Sequence, residues 1–120
     1  RRRWRLVQLD DPQDLTAMIF GLVVTDRAYA AHATELLSAA VARGWDARCF
    51  LTDTGVLLLQ DPAFVAHARS RPGSVASCKH SIELHVPEGL DLSALDGAVV
   101  IGGQFQGARL ASAATAMLVL

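Results

Sequence analysis

FGLVVTDRAYAAHATELLSAAVARGWDARCFLTDTG, residues 20–55, changes its hydrophobic period twice. Its opening belongs to an apolar run, LTAMIFGLVV at 15–24, whose branched and aromatic side chains mark a buried strand. Thr25 or Asp26 can cap the helix that follows, because a side-chain oxygen there accepts from its free first N–H groups. Ala33, Leu36, Leu37, Ala40 and Val41 recur at the spacing of one helical face. Gly44 closes that helix, being cheap in the left-handed conformation. Residues 45–52 then form a second strand, with Cys49, Phe50 and Leu51 inside it. Strand, helix and strand on short connections predict a parallel βαβ unit.

The alternation continues outward. Asp53-Thr54-Gly55 is a turn at the carboxyl end of the second strand, and the apolar run 56–59 either opens a helix or lines an interface. Asp61-Pro62 reads as an N-cap and first helical position, with the helix running to about Arg69, before Pro72-Gly73. Residues 74–77 form a short third strand with Cys78 at its carboxyl end, and 79–85 a short helix ended by Pro87-Glu88-Gly89. Residues 98–101 are a further strand, 102–107 a glycine-rich turn, 110–114 a helix and 116–120 a closing strand. The expected fold is one α/β domain over 1–120, with a flexible N-terminal arm at 1–12. Its core is an open, mostly parallel, five-stranded flavodoxin-like sheet with helices on both faces. Ligand chemistry in such sheets collects beyond the carboxyl ends of the strands. Residues 25–29, 52–55 and 78–81 fall there.

Composition agrees with a packed domain. Of 120 residues, 52% are apolar and 19% charged, too apolar for a disordered chain. Arg1, Arg2, Arg3 and Arg5 hold four of eleven basic residues; the remaining seven face twelve acidic residues, a balance of −5. Such a body does not grip nucleic acid. No apolar run approaches the ~18 residues of a membrane span. Asp10, Asp11 and Asp14 interrupt the stretch an export signal needs, so a cytoplasmic location is expected. Two cysteines make no disulfide framework.

Cys78 is the candidate catalytic residue. A thiol at a strand end with a helix behind it meets free backbone N–H groups, which favour thiolate. Lys79, the chain's only lysine, and His80 are expected to stabilise that thiolate further. The bland alternative is a packed cysteine acting as a small hydrophobe. Cys49, among apolar strand neighbours, reads as structural; a Cys49–Cys78 disulfide needs the two strands to adjoin. Cys78, His80 and His85 spell C-x-H-x4-H, a weak zinc alternative that lacks the second ligand pair of most structural sites, so no metal is expected. The TDRAY loop at 25–29 lacks phosphate-wrapping glycines, and neither G-x-x-x-x-G-K-[ST] nor G-x-G-x-x-G occurs; no cofactor is expected. His32 and Glu35 fall on the polar face of the first helix. Phe105 and the run 56–59 are candidates for contact with another subunit.

Taken together, these features resemble the DsrE/DsrF-like family of small sulfur-handling proteins, which includes the TusD-type sulfur-relay subunits. The likeness runs from Leu15 to Leu120. It rests on the opening strand, loop and Ala-rich helix, on the DTGV turn at 53–56, on VASCKHSIELH at 75–85, and on GGQFQGARLASAATAMLVL at 102–120. The resemblance implies that Cys78 accepts persulfide sulfur from a donor protein and passes it to an acceptor protein. It also implies a homo-oligomer, a trimer or hexamer of flavodoxin-like subunits, which the apolar DTGVLLL segment suits. The alternatives are a non-catalytic oligomeric binding module and a small metal-binding protein using Cys78, His80 and His85.

Overall fold

A computed structural model describes residues 18–120. The expected arm at 1–12 and the first residues of the expected opening strand lie outside the described residues. β1 (Ile19–Val24) leads through a 3-10 turn (Arg27–Tyr29) into α1 (Ala30–Ala42). β2 (Asp46–Leu51), a 3-10 helix (Asp53–Gln60) and α2 (Pro62–Ser70) follow. Then come β3 (Val75–Cys78), α3 (Lys79–His85), a 3-10 turn (Leu92–Leu95), β4 (Val99–Gly102), α4 (Gln104–Ala113) and β5 (Ala116–Val119). The five strands form one sheet in the order β4-β3-β2-β1-β5, and every pair is parallel. This is the open α/β architecture expected from the alternating periods.

The order fixes which face each connection covers. From β1 to β4 the chain steps one strand at a time in one direction. Right-handed crossovers therefore put the intervening helices on one face, and the return to β5 puts α4 on the other. The packing agrees. Leu22, Val24, Ala47, Cys49, Leu51 and Val75 face Ala33, Leu37 and Ala40 of α1, Phe64 and Ala68 of α2 and Ile82 of α3 in the main core. Phe50 and Cys78 face Leu110 of α4 in a smaller cluster, with Val23, Ala76 and Ala114 against it. Alternate strand residues thus serve opposite faces.

The Asp26 carboxylate caps the 3-10 turn ahead of α1 rather than α1 itself, accepting from the Ala28 N–H at 2.9 Å, and α1 starts after Tyr29 with no side-chain cap. As expected, the Asp61 carboxylate accepts from the Phe64 N–H at 3.0 Å ahead of Pro62 at the first helical position. Gly44 has φ +81° after α1. His32 and Glu35 are exposed.

Two expectations are corrected. The run 56–59 is mainly core rather than free surface: Val56, Leu58 and Leu59 are buried within the 3-10 helix, packed into this chain's own main core. That packing is close enough to require Gly55, because a Cβ there would overlap the Val24 carbonyl. The glycine-rich turn is also shorter than expected. Helix α4 starts at Gln104, and Gly107 lies inside it, where a Cβ would stand 3.0 Å from the Phe50 ring.

Candidate functional site at the carboxyl ends of the strands

The three expected rim segments lie side by side. The Thr54 hydroxyl accepts from the Arg27 N–H at 3.2 Å, tying the β1 loop to the β2 loop. The Ser81 hydroxyl accepts from the Asp53 N–H at 2.9 Å, tying the β2 loop to α3. Gln104, the first residue of α4, arrives from β4 and donates its amide N–H to Thr52 Oγ1 at 3.4 Å and to Cys78 Sγ at 3.6 Å.

Cys78 ends β3 and is the residue immediately before α3. Its side chain points to the α4 face, beside Phe50 and Leu110, and it is only 2% exposed. Burial pushes the thiol up, but the Ser81 hydroxyl, the backbone N–H groups of Ser81 and His80, and the Gln104 amide outweigh it. The net result is a thiol held below its ordinary value. The hydroxyl hydrogens can run in one direction to achieve this. Gln104 donates to Thr52, Thr52 lies 3.4 Å from Ser81 and can donate to it, and the Ser81 hydrogen is left for the sulfur.

Lys79 and His80 are both exposed. His80 acts on the sulfur through its backbone N–H. The His85 imidazole Nε2 lies 2.8 Å from the Asp53 carboxylate. Asp53 holds φ +50°, a left-handed conformation that aspartate tolerates better than most residues. Among the described residues no group of three His, Cys, Asp or Glu side chains is arranged to hold a metal ion, so Cys78, His80 and His85 do not gather as C-x-H-x4-H allowed.

Cys49 is buried on the opposite face, and burial pushes its thiol up. Both cysteines are free. β2 and β3 do adjoin, but Cys49 pairs with Val75, three residues before Cys78. That offset spans ~10 Å along the strand, beyond the reach of a disulfide.

Ser81, Thr52 and Gln104 were not singled out in the sequence. Ser81 carries a faint signal, a hydroxyl on the first turn of the helix that follows the cysteine. Gln104 carries none, since 26 residues separate it from Cys78 and only the β3–β4 pairing brings them together. No protein-family model matches the chain, and no curated protein matches it. No helix among the described residues is long and apolar enough to cross a membrane.

Proposed function

We propose that this protein is a DsrE/DsrF-like sulfur carrier in which Cys78 accepts and releases persulfide sulfur. The observation that carries the reading is the set of donors around Sγ, which holds the thiol below its ordinary value despite its burial. The step is a sulfane transfer. The Cys78 thiolate attacks the outer sulfur of a donor persulfide, R–S–SH. The new Cys–S–SH bond forms as the donor S–S bond breaks, and its electron pair leaves on the donor thiolate, R–S⁻. Nothing is oxidised overall, so no cofactor is required. An acceptor thiolate reverses the step. Donor and acceptor proteins, a cytoplasmic setting and a homo-oligomeric trimer or hexamer belong to this proposal. The exposed Phe105 and the exposed strand β5 offer apolar surface for such contacts.

The donors that lower the thiol also persist after transfer and suit a persulfide anion, which is a still weaker base than a thiolate. Gln104 sets access. Its amide covers Sγ from an exposed position, so an incoming donor must displace it. The test is incubation with inorganic polysulfide followed by intact mass and peptide mapping. The expected result is one added sulfur atom, located on Cys78, absent from Cys78→Ser and released by a thiol reductant. An unchanged wild-type mass, or an equal adduct on Cys78→Ser, overturns the proposal.

The near-complete enclosure of Cys78 beside Phe50 and Leu110 favours one second reading, a non-catalytic binding module with a packed thiol. That reading requires Cys78 to resist alkylation in the folded protein at every pH.

A further inference from the structure

The strand order leaves one face of the sheet thinly covered. Among the described residues three connections pack on the opposite face, while α4 is the one helix over this face, against β1, β2 and β3. Val100 of β4 is left 41% exposed. Between α4 and the β3–β4 side of the sheet runs a groove of about 510 Å³, within the size range of small-ligand sites.

Three guanidinium groups from three separate elements line it: Arg48 of β2, Arg71 of the α2–β3 loop and Arg109 of α4. Asp46, also in the lining, takes both Nε and Nη2 of Arg48, at 3.2 and 2.8 Å. Arg71 and Arg109 have no carboxylate partner among the described residues, although the Arg109 guanidinium also lies over the Phe105 ring, 5.7 Å from its centroid. Three cations against one carboxylate leave the groove two positive charges in excess. Gathering like charges in a concave surface is unfavourable unless an anion joins them. Ser74 is also in the lining, but its hydroxyl is shielded from solvent, with no hydrogen-bond partner among the described residues. Val100 supplies exposed apolar surface beside the arginines.

We propose that this groove binds a small organic dianion, a phosphate monoester, with its phosphate on Arg71 and Arg109 and its apolar portion against Val100. Two excess positive charges match the two charges of a monoester above its second pKa, about 6. Planar guanidinium forks suit phosphate oxygens better than a lysine would. The arginines lie away from Cys78, though Phe50 and Leu110 border both places. Asp46 opens β2 and Ser74 precedes β3, at the amino ends of the strands, whereas Cys78 ends β3 at the other rim. The inference therefore does not depend on the sulfur-carrier reading.

Calorimetric titration of the protein with phenyl phosphate at pH 7.5 tests it, with benzenesulfonate as a singly charged analogue. The expected result is saturable binding of phenyl phosphate, at least tenfold weaker binding of benzenesulfonate, and a fall in affinity as sodium chloride is raised. Arg71→Ala and Arg109→Ala should each weaken phenyl phosphate at least tenfold. Arg43→Ala, which removes a guanidinium stacked on Trp45 elsewhere, should leave it unchanged. Val100→Glu, which sets a carboxylate in the groove, should abolish binding. Absence of saturable binding, equal affinity for the two ligands, or indifference to both Arg71→Ala and Arg109→Ala overturns the proposal.

Discussion

The Ser81 hydroxyl does two jobs at one atom: it accepts from the Asp53 N–H and faces the Cys78 sulfur. Ser81→Ala therefore removes a donor to the thiolate and loosens the β2 loop at once. The expected outcome is a higher Cys78 ionisation midpoint and slower sulfur uptake near neutrality, with the rate recovering at alkaline pH, where thiolate no longer limits. A pH-independent deficit would instead indicate a structural defect. Gln104→Ala should separate ionisation from access. It loses one donor yet uncovers Sγ, so alkylation at alkaline pH should run faster than in the wild type. The two cysteines also load stability in opposite directions. The Cys78 thiolate, favoured in the folded state, adds stability that is present above an unfolded thiol value of about 8.5 and is lost as pH falls through the lower folded value. Cys49, pushed up by burial, adds stability that is present below about 8.5 and declines as pH rises. Urea titrations at a series of alkaline pH values should show Cys49→Ala losing less stability with rising pH than the wild type. At this scale the position of Cys78 was legible in the sequence, because a cysteine that ends a strand just before a helix is a local feature. Its partners from β2 and β4 were not, because pairing of distant strands creates them.

Among the elements, the 3-10 helix Asp53–Gln60 carries the clearest lesson. Its sequence, DTGVLLLQ, is apolar without a helical or strand period, so the sequence left a choice between opening a helix and lining an interface. The structure resolves it through Gly55, which lets the segment approach the backbone at the end of β1 and drives Val56, Leu58 and Leu59 inward. Gly55→Ala should cost about 1–3 kcal/mol, since the obstacle is a backbone carbonyl that cannot turn aside. Gly21→Ala should be far milder: the group met there is mainly the side chain of Met117, flexible and on the edge strand. Chemical denaturation of the two variants checks the contrast, and equal losses would contradict it. Asp61→Ala should cost about 1 kcal/mol by removing the cap on the Phe64 N–H. The cap and Pro62 were legible as a pair, because their effect is confined to one turn. The start of α4 was misplaced by several residues, since Gly102, Gly103 and Gly107 look alike in sequence. Only the third sits in a helix, where close contact with Phe50 requires it.

For the whole molecule, periodicity was enough to give the α/β class and the five strands, since each strand and helix announces itself locally. The order β4-β3-β2-β1-β5 and the resulting imbalance of cover, three helices against one among the described residues, come from the sum of all crossovers. That imbalance has two consequences. Among the described residues it leaves the arginine-lined groove open at the amino ends of the strands, and it places Gln104 of α4 over the sulfur at the carboxyl ends, with Phe50 and Leu110 beside it. A thiol enclosed this way is inert unless its neighbours favour ionisation and its cover can part. The rate of iodoacetamide alkylation at Cys78, followed by mass spectrometry across pH in the folded wild-type protein, tests both conditions together. The account expects reaction under native conditions with a midpoint below the ~8.5 of an unperturbed thiol, while Cys49 stays unmodified. A midpoint at or above that value, or modification of Cys78 only as fast as the protein unfolds, would contradict it.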